Sequence, residues 1–226
     1  MATKVPSTKT KQWQPDPNIT DTELAEMRKE VYDRIIIARV GLLLRHPFFG
    51  NMATRLRIVA ADEWCGTAAV DGKFMYFNTQ FFNALTNKEI EFVIAHEILH
   101  CVFDHLGRRT WQGRELHALL SNIAQDYIIN NLLVRDRIGA NPSIVQCYQD
   151  FKYSKWTSEE VYDDLFEKVK KQGQDILDKL GELLDEHLEL DGDEGEEGND
   201  GKPGAGRPKY SKDELEQIRN DVKDGM

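Results

Sequence analysis

At 226 residues the chain has room for one well-cored domain with appendages, or two small domains. Its net charge of -10 sits in one place, because nine acidic residues and no Lys or Arg fall between Asp185 and Asp200, leaving the remainder near -1; this excludes a broad nucleic-acid-binding surface. Three irregularly spaced cysteines (Cys65, Cys101, Cys147) exclude a disulfide framework and a zinc knuckle, and the absence of a secretory h-region or a membrane-length apolar run leaves a cytoplasmic protein with no membrane span as the expectation.

Residues 1–20 are rich in Lys, Thr and Pro and read as a disordered N-terminal segment. Thr20 or Asp21 then caps a helix that should run to Leu44 or Arg45. Its apolar positions Leu24, Met27, Val31, Ile35, Ala38 and Leu42 step by three and four and define one buried face. The helix should stop at His46-Pro47, since the residue before proline is pushed out of helical geometry. His46 reads as a capping or packing histidine rather than a ligand.

The period then changes. Leu56 to Ala61 reads as a strand, and Thr67–Val70 and Lys73–Asn78 read as two short strands joined by Asp71-Gly72 in a type I′ turn. A short helix is expected over Gln80–Leu85. Thr86 with Glu89 three residues on forms a capping box for the next helix, which should extend to His105 or Leu106 and stop at Gly107. A connector through Trp111-Gln112-Gly113 leads to a largely buried helix over Glu115–Val134, ended by Gly139 and Pro142. Another capped helix begins at Thr157-Ser158, with Val161, Leu165, Phe166 and Val169 as its docking face. The resulting division is a main domain over 21–170, a helical extension over 171–190, an acidic Gly-rich linker over 191–208, and the start of a C-terminal helical segment over 209–226. A linker followed by the opening of a helix is the pattern of a chain that once continued.

The chemistry lies in Ala95-His96-Glu97-Ile98-Leu99-His100, an H-E-x-x-H motif on the capped helix. Residues four apart on a helix lie within roughly 40° of one another, so both imidazoles reach one metal ion, while Glu97 on the neighbouring stripe can act as general base. Ile98, Leu99, Val102 and Phe103 make the segment apolar, and an apolar helix carrying His, Glu and His needs something to satisfy them. Cys101, about 100° off that face, reads as a small buried side chain.

A catalytic zinc takes three protein ligands and leaves a fourth position open. The candidates for the third are His105, His117 and Asp126. His105 turns about 140° away from His100 if the helix stays regular, and His117 sits in a polar stretch. Asp126 is preferred, because Asn122, Asp126 and Asn130 make a polar stripe at four-residue spacing on an otherwise apolar helix, and a buried carboxylate needs a charged partner. The competing role for Asp126 is a salt bridge to Arg108 or Arg109. As a ligand it would have Asn122 and Asn130 as orienting groups behind the site.

Several of these pieces together resemble the H-E-x-x-H metallopeptidase domain that often precedes a von Willebrand factor A-like domain. They are His46-Pro47-Phe48-Phe49-Gly50, Asp71-Gly72-Lys73, Phe77-Asn78, the span from Ala95 through His105, Arg108-Arg109, Asn122-Ile123-Ala124-Gln125-Asp126-Tyr127-Ile128-Ile129-Asn130, and Ser158-Glu159-Glu160-Val161-Tyr162. The D-x-S-x-S signature of the A-like domain is absent. The resemblance implies a zinc site acting on a protein or peptide substrate, and a possible partner of the MoxR type among AAA+ ATPases.

The expected fold is α+β and zincin-like: a small sheet with a hairpin, a metal-binding helix and packed helices. The expected function is a zinc-dependent metallopeptidase in which His96, His100 and Asp126 hold Zn2+ and Glu97 is the general base. The alternative is a catalytically silent, zinc-stabilised adaptor working with an AAA+ ATPase.

Overall fold

A computed structural model describes residues 13–105, 110–111, 114–115, 117–145, 147–172 and 212–225. The expectations for Gly107, for Arg108 and Arg109, for the extension after residue 172, and for the acidic linker lie outside the described residues. The fold is α+β, mostly helical with a small three-stranded sheet. Among the described residues no helix is long and apolar enough to cross a membrane.

Helix α1 spans Asp21–Arg45, opened by a Thr20/Glu23 capping box. Val31, Ile35, Ala38 and Leu42 are fully buried, the face that the spacing predicts. His46 ends α1, but the chain does not become a loop there. Pro47 starts α2 (Pro47–Arg55) at the first helical position, where its missing N–H costs nothing and its fixed φ already suits a helix.

Three strands follow: β1 (Arg57–Ala60), β2 (Ala68–Val70) and β3 (Phe74–Phe77). Their order is β1-β3-β2, with β3 parallel to β1 and antiparallel to β2. The hairpin is present, but its turn differs from the expected type I′. Only Gly72 takes positive φ, at 89°, and a type I′ turn needs it at both central residues. The buried Asp71 carboxylate organises this turn, accepting from Lys73 N (2.8 Å), Phe74 N (2.6 Å) and the Tyr76 hydroxyl (2.8 Å).

Asn78 caps the short α3 (Thr79–Ala84), and Thr86 with Glu89 forms the capping box of α4 (Asn87–Val102). α4 is the centre of the molecule, touched by α1, α2, β2 and α5. Nearly every residue from Glu89 to Cys101 is buried. A helix enclosed on all sides normally carries only apolar side chains. Here Ile90, Ile94 and Ile98 join Ile35, Leu42, Phe77, Phe81 and Phe82 in the main core. A two-residue hairpin, β4 (Thr110–Trp111) with β5 (Arg114–Glu115), lies where a plain connector is expected. α5 (Ala118–Arg135) packs on α4, and α6 (Ser158–Gln172) packs on α5 around Leu120, Ile123, Tyr153, Val161 and Leu165. The last helix, α7 (Lys212–Gly225), sets Ile218 against the hairpin at Gly72.

Two contacts fix the start of α4. Gly139, at φ 67°, lets the chain after α5 pass so close that an added Cβ would lie 2.4 Å from Phe92 N. Its neighbour Ala140 donates to Lys88 O (3.0 Å). Glu89 accepts from Thr86 N (2.7 Å) with one oxygen and from Ser143 N (2.7 Å) with the other, tying the segment after α5 to the helix. Burial pushes the Glu89 pKa up, but the hydrogen bonds from Thr86 and Ser143 outweigh it and leave the carboxyl below its ordinary range. A depressed carboxylate stabilises the fold fully above the ordinary glutamate range, and that contribution is lost as pH falls through the depressed value. Glu89→Ala should therefore cost about 1–2 kcal/mol at neutral pH in denaturant unfolding. Glu89→Gln, which keeps one acceptor oxygen but sets an NH2 against the other N–H, should recover only part of that loss and should flatten the acid limb of the stability profile.

Candidate metal centre

The two histidines of the motif and the carboxylate of α5 meet where the two helices cross. His96 Nε2 and His100 Nε2 lie 3.0 Å apart, and Asp126 Oδ1 lies 3.5 Å from the first and 3.2 Å from the second. Three ligand atoms around a four-coordinate ion with bonds of ~2.0–2.1 Å stand about 3.3 Å apart, the edge of the tetrahedron. The triad has that spacing before any ion is added. Two imidazole nitrogens and a carboxylate oxygen gathered this closely are the donor set of a borderline cation rather than of a hard one, which would want oxygen throughout. Among the described residues these three form the one group of His, Cys, Asp and Glu side chains able to hold a metal ion.

The rings are held from behind. His96 Nδ1 lies 2.9 Å from Asn130 Oδ1. The Asn130 amide is oriented by its own donation to Tyr148 O (3.0 Å), so its oxygen faces the ring. His96 therefore carries its proton on Nδ1 and presents the Nε2 lone pair to the triad. Asn130, one turn past Asp126, is the expected orienting residue. Asn122, one turn before, is half-buried and makes no hydrogen bond to the triad.

His105 departs from the expected geometry. α4 ends at Val102 rather than continuing to His105, because Asp104 takes a left-handed conformation with φ 53°. The chain folds back, and His105 is not turned away from His100: its Nδ1 lies 3.2 Å from His100 Nδ1, on the far side of that ring from the triad, and the side chain is buried. His117, an exposed residue at the N-cap of α5 whose N–H donates to the Tyr162 hydroxyl (3.2 Å), is not brought to the triad. His46 sits between α1 and α2 and is likewise apart. Cys101 is buried beside Gly72. Burial first, then the charges of Glu97 and Asp71, push its thiol well above the ordinary range, so it stays protonated and is a poor ligand.

Access is one-sided. The His100 side chain is 1% exposed and that of Asp126 9%, whereas His96 is 14% exposed. The opening is a cleft lined by His96, Glu97, Asp126 and Asn130, with Phe92, Val93, Ala68, Val145 and Tyr148 as apolar walls. Glu97 is buried in that cleft next to the triad, one residue round the helix from His96. Tyr148 and Val145 come from the irregular stretch after α5, and no motif or periodicity marks them in the sequence. They are recruited by Asn130 and Asn131, whose side-chain amides donate to Tyr148 O and Asp150 O.

No curated protein and no solved structure matches the chain. One family does, described as "Putative metallopeptidase domain", over residues 32–223. That span takes in α4, α5, the triad and most of α7, and extends on both sides of the His46 to Tyr162 motifs that carry the resemblance in the sequence. The triad geometry and this match over most of the chain agree, and the chain belongs to that metallopeptidase-domain family.

Proposed function

We propose that the chain is a zinc-dependent peptidase with a zincin-like arrangement, in which His96, His100 and Asp126 are the zinc ligands and Glu97 is the general base. The observation that carries this reading is the triad itself, with its three donor atoms 3.0–3.5 Å apart at the foot of an open cleft. When bound, the zinc supplies a Lewis acid that lowers the pKa of water towards about 7 and polarises a carbonyl oxygen. The chain's own residues do the rest. The Glu97 carboxylate accepts a proton from the attacking water and delivers it to the leaving amine. Asn130 and His105 hold the two imidazoles so that each Nε2 faces the ion. Phe92 and Val93 keep one wall of the cleft dry.

The sheet offers a place for an extended substrate. β2 is an edge strand, and Thr67 O, which accepts from Asn78 N, and Asp71 N, which donates to Phe74 O, both turn inward to β3. By alternation Ala68 and Val70 turn their N–H and C=O groups away from β3, on an edge that is buried in this structure and would have to open to receive a peptide. Ala68 also lines the cleft, so a peptide added to that edge would run past Glu97.

Purified protein should carry one zinc per chain by mass spectrometry, and His96→Ala, His100→Ala or Asp126→Ala should lose it. Glu97→Gln should keep the zinc and lose hydrolysis of an unfolded protein substrate by ~10²–10⁴-fold. If that variant keeps zinc and full biological activity, the site is structural and the chain is a metal-stabilised adaptor. If the parent protein binds no zinc, both readings fall. Asn130→Ala and His105→Ala, which remove the contacts behind the rings, should each weaken zinc binding by roughly 10–100-fold in competition with a chelator, with the fold intact by circular dichroism.

A further inference from the structure

One apolar surface has no role in the metal centre. Opposite the buried face of α1, Ile36, Ile37, Val40, Leu43 and Leu44 are between 45% and 76% exposed, and Phe48 at the start of α2 prolongs the stripe at 41%. Together they expose about 600 Å² of apolar side chain, the upper end of what a monomer shows and most of the ~800 Å² that each partner gives to a standard interface. Two cations lie within the span, and both turn away from it. Arg39 donates to Ala53 O and Leu56 O, and Arg45 pairs with the buried Glu91. The stripe is thereby kept free of charge along its length.

Its spacing fits a second copy of the chain. Ile37 and Leu43 lie three residues to either side of Val40, and Ile36 and Leu44 lie four. A helix face symmetric about one residue matches itself after a half-turn about an axis through that residue. In an antiparallel pair Val40 then meets its own copy, Ile36 meets Leu44 and Ile37 meets Leu43. An isologous contact must be self-complementary in this way, and this face meets that condition over an area close to what one partner of a stable dimer buries. We propose that the α1 stripe is the two-fold interface of a homodimer, a second copy of this chain packing its α1 antiparallel on the first. Glu91, which meets α1 through Arg45, lies about 140° around α4 from His96, so the dimer leaves both clefts open.

Light scattering on the full chain at micromolar concentration should give twice the 26.0 kDa chain mass. Val40→Glu sets two carboxylates together on the axis and should halve the mass while leaving the circular dichroism spectrum unchanged. Cysteine pairing tests the geometry apart from the mass, with the parent chain as control for Cys65, Cys101 and Cys147. Val40→Cys alone should cross-link to itself on mild oxidation. Ile36→Cys alone should not, but mixed with Leu44→Cys it should. A monomeric parent, a dimer that survives Val40→Glu, or self-linking of Ile36→Cys would each overturn the proposal.

Discussion

A helix buried on every side cannot carry ionisable groups unless each finds a partner, and α4 carries Glu89, Glu91, Glu97, His96 and His100. The rest of the fold supplies partners to four of them from different directions. Ser143, after α5, donates to Glu89; Arg45, at the end of α1, pairs with Glu91; Asn130 and Asp126 of α5 meet the two histidines. The apolar core sets where α4 lies, and these polar contacts set its rotation about its own axis. Rotation is what matters for a site made of residues one turn apart, because an error of one residue would turn His96 and His100 by about 100° out of the cleft.

The same demand explains the unusual backbone around the site. Ending α4 at Val102, ahead of the left-handed Asp104, sacrifices a helical turn, but it brings His105 behind His100. Gly139 accepts a left-handed conformation so that the chain leaving α5 can lie against the first turn of α4. That close pass delivers Val145 and Tyr148 to the cleft wall. The first departure lies beside the triad and the second at the start of the helix that carries it, so in both the local geometry serves the site rather than the helix.

Family membership and geometry bear on different parts of the reading. The family match spans most of the chain and places it among metallopeptidase domains. The convergence of two Nε2 atoms and a carboxylate oxygen is independent of that match, since it rests on helix crossing and side-chain orientation alone. The one-sided access past His96 adds an approach to the triad from solvent. The exposed stripe on α1 is a separate matter, on the other side of α4, and concerns how copies assemble rather than what the cleft does.

Much of the site was legible in the sequence because its signals are local. H-E-x-x-H at helical spacing puts two imidazoles on one face, and the Thr86/Glu89 capping box announces the helix that carries them. The Asn122/Asp126/Asn130 stripe pointed to the facing helix because buried polar residues at four-residue spacing need a reason. The helix at Pro47, the hairpin turn type, the parallel pairing of β1 with β3 and the cleft walls were not legible. Each depends on a backbone conformation or a pairing between distant residues that leaves no periodic trace. His105 shows the boundary most clearly: counted along a regular helix it points away from His100, and only the left-handed turn at Asp104 brings it back. Spacing along the chain determined which groups share a helix face. Tertiary packing decided which faces meet, because burial energy depends on partners that the local sequence does not specify.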